Sequence, residues 1–223
     1  MMSAPIRVLL ADDQEAIREA LGVILNAEAD IQVIAEAGDG ESAVEQARRL
    51  RPDVVLADIR MPLLDGLGVT RQLAGPDVPD PIAVVVVTTF DLDEYVYTAL
   101  ENGACGFLLK RSIPTLLVEA VRAAAGGDAL ISPQITLRLM AHLRQSRSAA
   151  GPSLQEIAMA RLTPREREIV THVARGATNS EIAQQLFISP GTAKNYLATI
   201  QEKIGARNRV AVAVWAWKNG LAG

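Results

Sequence analysis

The sequence predicts a doubly wound parallel α/β domain followed by a smaller all-helical one, and three observations carry that expectation. Between residues 6 and 125, short apolar runs alternate five times with helix-period segments, the pattern of a parallel sheet covered by helices on both faces. Beyond residue 153 the strand-like runs cease and a series of Ser/Thr-led helix starts begins. Charge divides the chain in the same region: residues 1–130 hold 10 Lys/Arg against 21 Asp/Glu, a net of −11, whereas residues 131–223 hold 12 against 5, a net of +7. An acidic half fits a cation-binding module, and a basic half fits a polyanion such as nucleic acid.

Strands are expected at 6–11, 31–37, 53–57, 82–88 and 106–109. The first (IRVLLA) and third (DVVLA) are aliphatic without polar alternation, as in strands buried on both faces. Helices fill the gaps at about 14–27, 40–50, 66–73, 92–102 and 113–125. A further helix-period segment spans 133–143, and 145–153 (QSRSAAGPS) lacks large apolar residues and reads as a flexible linker. These features place a first domain at 1–130, a linker with a helix at 131–158 and a second domain at 159–223.

In the second domain Thr163-Pro164-Arg165-Glu166 offers an N-cap, a proline at the first helical position and a glutamate at the third, which is a capping box. Thr178 and Glu181 repeat that logic. Ser189-Pro190 starts a helix that can run to Ile204 before Gly205 stops it, and Asn208 caps a last helix.

Several classes are excluded. One cysteine, Cys105, allows no intrachain disulfide and reads as a small core residue; His142 and His172 lack metal-ligand spacing. The longest apolar runs, 82–87 and 210–217, are far shorter than a membrane span, and no signal-peptide pattern opens the chain. A cytoplasmic protein with no membrane partner is expected.

Asp12 and Asp13 follow the first strand and Asp58 the third, at the strand edge where open α/β sheets collect ligands. Three carboxylates there repel one another unless a cation joins them, and hard oxygen ligands suit Mg²⁺. Thr88 and Lys110 end the fourth and fifth strands at the same edge. With a cation neutralising charge, a carboxylate can attack a phosphoryl group while an ammonium and a hydroxyl hold its oxygens. Asp58, alone at its strand end, is the best nucleophile. In the basic half, helices at 179–186 and 190–204 have helix-turn-helix proportions, with Ile182, Leu186, Ile188, Leu197 and Ile200 as core and close approach at Ala183. The other face of the second helix carries Thr192, Lys194, Asn195 and Thr199, side chains suited to major-groove reading.

The set LADD at 10–13, ADIRMP at 57–62 with Asp65-Gly66, VVTTF at 86–90 and GFLLK at 106–110 resembles the receiver domain of two-component response regulators, a flavodoxin-like (βα)5 fold. Residues 162–209 resemble the DNA-binding domain of the LuxR/NarL class, so the whole chain is similar to NarL/FixJ-type response regulators. That resemblance implies Asp58 as phosphoacceptor. It implies Mg²⁺ bound directly by Asp13, Asp58 and the backbone carbonyl of Arg60, with Asp12 acting through water. Thr88 and Lys110 would contact the phosphoryl group, and Phe107 would be the rotating aromatic of the switch. Phe90 and Arg60 lie where they could screen an acyl phosphate from water. In the second domain it implies DNA reading by Lys194 and Asn195, backbone contacts by Thr192 and Lys203, and a dimer contact through Val210, Val214 and Trp217. The implied partners are a sensor histidine kinase, double-stranded promoter DNA and a second copy of the chain. Three positions depart from the commoner pattern: Arg111 stands where a proline often follows the lysine, Ala193 replaces a larger aliphatic residue, and Tyr196 replaces a frequent histidine. The expected protein is a transcription regulator and not an enzyme. Its rivals are a receiver that works by protein contact without phosphorylation and a small Mg²⁺-dependent aspartyl phosphotransferase or phosphatase. The latter usually needs an acid two residues after its nucleophile, where this chain has Arg60.

Overall fold

A computed structural model describes residues 4–89, 93–131 and 161–221. Its contacts divide the chain into two compact units, 1–125 with 129–136 and 126–128 with 137–223. In the first, β1 (Ile6–Ala11), β2 (Ile31–Ala37), β3 (Val54–Ala57), β4 (Ala83–Thr88), β5 (Gly106–Leu109) and β6 (Leu130–Ile131) form one sheet in the order β2-β1-β3-β4-β5-β6. All five pairings are parallel. Between them run α1 (Glu15–Asn26), α2 (Gly40–Leu50), α3 (Gly66–Ala74), α4 (Asp93–Glu101) and α5 (Pro114–Gly126).

The five expected strands are all present. The one expected at 53 begins a residue later because the Asp53 carboxylate takes the Arg7 backbone N–H at 2.8 Å, a side-chain bond in place of a ladder bond. β6 was not expected: two residues carry no readable period. The helix expected at 133–143 and the linker at 145–153 lie outside the described residues.

Each face of the sheet has its own core. Val8, Leu10, Val54, Leu56, Val85, Val87 and Leu108 pack with Leu25 of α1 and with Leu117, Val118 and Val121 of α5. Leu9, Ala11, Val55, Ala57 and Val84 pack with Ala43, Val44 and Ala47 of α2 and with Val69 and Leu73 of α3. Burial on both faces explains why these strands read as continuous apolar runs. β2 carries an irregularity: Val8 pairs with Val33 but Leu9 pairs with Ala35, so one residue, Ile34, is left over as a bulge. Val33 accordingly packs on the α1/α5 face and Ala35, two residues on, on the α2/α3 face. The bulge thereby turns Glu36 toward α1.

The second unit contains α6 (Pro164–Ala174), α7 (Asn179–Leu186), α8 (Pro190–Ile204) and α9 (Arg209–Lys218). Both expected capping boxes are formed, Thr163 with Glu166 and Thr178 with Glu181. Ser189 caps α8, Gly205 ends it in the left-handed region at φ 67°, and Asn208 caps α9. Ile182, Leu197 and Ile200 are buried in a core shared with Ile169, Val170, Ala193 and Val212, with Leu186 and Ile188 packed against it, and Ala183 is buried as well. Ala193 is itself fully buried, so its small side chain is a packing choice rather than a change to the exposed face.

Candidate functional site

The strand-end loops bring the acids together. Ligand oxygens of Asp12, Asp13 and Asp58 all lie within 4.8 Å of one another; Asp12 and Asp58 are buried and Asp13 is exposed. Lys110 closes the set, its Nζ 2.5 Å from Asp12 Oδ2 and 2.9 Å from Asp58 Oδ2. In an open loop these acids would be separately hydrated, but here the lysine is a tethered cation among them. Burial pushes the Asp12 carboxyl up, against the Lys110 ammonium and the Gln14 N–H that favour its charged form. Burial by itself would lower Lys110, yet its bonds to Asp12 and Asp58 leave it raised.

Local chemistry fixes the loops. Asp58 Oδ1 accepts the Ile59 N–H at 2.7 Å, and the Asp58 N–H donates to the Ala11 carbonyl at 2.8 Å. Asp65 caps α3 by accepting the Gly68 N–H at 2.7 Å. Gly66 must lack a side chain, because a Cβ there would overlap the carbonyl oxygen of Asp58. The Asp65-Gly66 pair is thus the device that lets α3 start directly against the loop after Asp58.

Thr88 is fully buried at the end of β4, and the Lys110 N–H donates to its carbonyl at 2.9 Å. Lys110 reaches the acids without a proline after it, and among the described residues no peptide bond is cis. Arg60 lies exposed in the loop after Asp58. Phe107 has no exposed surface, so the ring implied as a switch stands buried in the sheet. Phe90 falls outside the described residues. Cys105 bonds to the Val84 carbonyl at 3.3 Å and burial pushes its thiol up to about 12, which removes thiolate chemistry.

In the helical unit Lys194, Asn195 and Thr199 share the exposed face of α8, opposite Ala193, Leu197 and Ile200. Thr192 is half-buried, with its hydroxyl 2.8 Å from the capping Ser189 hydroxyl. Lys203, expected as a DNA-backbone contact, lies in the last turn of α8. Its Nζ bonds Glu166 Oε1 at 2.7 Å and Oε2 at 2.8 Å, and that carboxylate is the buried half of a capping box. These bonds tie α8 to α6. On α9 Val212 and Ala216 are buried while Val210, Val214 and Trp217 fall on one half-buried stripe at i, i+4 and i+7. Among the described residues no helix is long and apolar enough to cross a membrane.

Comparison with known proteins agrees with both halves. Residues 8–122 match the response regulator receiver domain, and residues 160–216 match the bacterial regulatory proteins of the luxR family. The transcriptional regulatory protein LiaR of Bacillus subtilis is 38% identical over 216 residues, covering 97% of this chain and 99% of the relative. The nitrate/nitrite response regulator protein NarL of Escherichia coli is 36% identical over 211 residues, covering 95% and 94%. Among solved structures, the response regulator ChrA of a heme-sensing two-component system is 35% identical, covers 98% of this chain and 100% of its own, and aligns with a TM-score of 0.53. The chain therefore belongs to the two-component response regulators that join a receiver domain to a LuxR-type DNA-binding domain and regulate transcription.

Proposed function

We propose that Asp58 accepts a phosphoryl group from a sensor histidine kinase and that this controls the binding of promoter DNA by α8. The observation that carries the reading is Lys110 bonded to both Asp12 and Asp58 beside a third acid, Asp13. Hard carboxylate oxygens converging from two strand ends fit Mg²⁺, with Asp13, Asp58 and the Arg60 carbonyl as direct ligands and Asp12 acting through water. Bound there, Mg²⁺ would neutralise the charge that otherwise keeps a carboxylate from approaching a phosphoryl group.

In the transfer an Asp58 oxygen forms the new bond to phosphorus as the bond to the kinase imidazole breaks, leaving an acyl phosphate. Lys110, released from pairing with the free carboxylate, then holds one phosphoryl oxygen. The Thr88 hydroxyl holds another, drawing the end of β4 inward; Phe107 accommodates that movement. In the helical unit Lys194 and Asn195 read bases and Thr192 contacts the DNA backbone, while Lys203 serves mainly the fold. Two copies pair through Val210, Val214 and Trp217, so that two reading helices meet adjacent half-sites. Such a protein acts in the cytoplasm, where the promoter is. We place the working boundaries at 1–130 and 159–223, joined by 131–158.

The test uses acetyl phosphate, Mg²⁺ and promoter fragments selected by the protein itself. Wild-type protein should gain phosphate and bind DNA more tightly, and Asp58→Asn should do neither. Phosphate incorporation into Asp58→Asn at the wild-type level would remove Asp58 from the role. Lys194→Ala and Asn195→Ala should each weaken specific binding by about 1–3 kcal/mol, and intact binding in both would move the reading face elsewhere.

A further inference from the structure

We infer that Arg18 is a positioning residue that aims Asp13, acting through the peptide that joins Asp12 to Asp13; this rests on the phosphoacceptor reading above. Arg18 Nη1 donates to the Asp12 carbonyl oxygen at 2.8 Å and its Nε donates to Glu36 Oε2 at 3.3 Å, with the side chain only 16% exposed. From the opposite side, the Asp12 N–H donates to the Ala37 carbonyl at 3.1 Å. Both backbone polar groups of Asp12 are thereby held. A peptide unit is planar, so fixing the Asp12 carbonyl fixes the Asp13 nitrogen and limits the directions in which the Asp13 side chain can leave. That control is needed there: β1 ends its pairing with β2 at Ala11 and Ala37, and Asp13 lies beyond it, exposed.

The second anchor depends on the bulge in β2. In an unbroken strand Val33, Ala35 and Ala37 would share one face and Glu36 would point toward α2 and α3. With Ile34 left over, Glu36 instead pairs in register with Leu10, whose side chain faces α1. Glu36 can then meet Arg18, and its carboxylate lies over α1 close to Gly22. A guanidinium suits the position because one planar group serves a carbonyl and a carboxylate at once, which an ammonium on a lysine stem does not match.

Charge alone predicts the opposite effect from positioning, and this separates the two. Arg18 is a cation beside an acidic pocket, so by Coulomb's law its removal should tighten divalent binding, whereas loss of aim should weaken it. We therefore expect Arg18→Gln, as full-length unphosphorylated protein with unchanged far-UV circular dichroism, to bind Mn²⁺ about 10-fold more weakly by electron paramagnetic resonance. Arg18→Lys should fall between it and wild type. Glu36→Gln, which keeps the bond to Asp12 and weakens its anchor, should lose about threefold, and it carries the test if Arg18→Gln misfolds. Phosphorylation of Arg18→Gln by acetyl phosphate should be slow at low Mg²⁺ and recover at saturating Mg²⁺. Mn²⁺ affinity that is unchanged or tighter in folded Arg18→Gln, or unchanged in Glu36→Gln should the first misfold, overturns the role of Arg18. Wild-type protein that binds Mn²⁺ but takes no phosphoryl group overturns the phosphoacceptor reading and leaves Arg18 to be judged on metal affinity. Wild-type protein that binds no Mn²⁺ overturns both.

Discussion

Leu63 shows how single residues in the loop after Asp58 carry cost for placement. It sits at φ 64° while the Leu64 N–H donates to the Pro62 carbonyl at 2.7 Å, a three-residue turn of the rare strained kind. A bulky side chain in the left-handed region is disfavoured, and at 76% exposure it recovers little by packing. Leu63→Gly should therefore raise stability by about 0.5–1 kcal/mol, seen as a higher urea midpoint by circular dichroism. Gly66→Ala should do the reverse by about 1–3 kcal/mol, since the new methyl meets the Asp58 carbonyl. The acids, Thr88 and Lys110 were legible in the sequence because each ends an apolar run, so strand register alone brings them to one edge. Arg18 was not, because nothing along the chain links an arginine on a helix to a carbonyl six residues back. A charged residue about one turn into an otherwise apolar-faced helix beside the acids was the one available hint.

The helix starts were the most readable elements, since a cap and its partner lie three residues apart and the bonds formed are local. Glu166 illustrates what local reading leaves out. It was legible as the N3 member of a capping box, but its bond to Lys203 spans 37 residues and its burial depends on α8 closing over it. Burial works to raise its carboxyl; the Lys203 ammonium and the Thr163 N–H outweigh that and hold it below the ordinary range. A lowered carboxyl stabilises the fold above its unfolded value, about 4.3, and that stability is lost as pH falls through the lower folded value. The helical unit should thus weaken in acid below about pH 4.3, and Lys203→Met should cost about 1–3 kcal/mol at neutral pH by leaving the buried carboxylate without its cation. Lys203→Met should also show a smaller loss on acidification, measured by urea unfolding at pH 7 and pH 4. The bulge in β2 and the short β6 escaped the sequence for a related reason: both are set by neighbouring strands, not by the residues' own period.

At the scale of the whole chain, an acidic and a basic half were legible in charge counts, and the contacts of the structure divide the chain into two compact units. Among the described residues the acidic cluster lies in the first unit, so a divalent cation should stabilise that unit specifically. At 100 times its dissociation constant Mg²⁺ should add about 2.7 kcal/mol, raising the unfolding midpoint of the sheet followed by amide hydrogen exchange. An equal gain in Asp58→Ala would place the cation elsewhere. The two tryptophans of the chain, Trp215 and Trp217, both lie on α9. Tryptophan emission from this protein therefore comes from the LuxR-type half, and the receiver half, with Tyr95 and Tyr97, adds only tyrosine emission. The receiver half holds no tryptophan, so any change that phosphorylation causes in α9 can be followed, without an added dye, by the colour and intensity of the tryptophan emission.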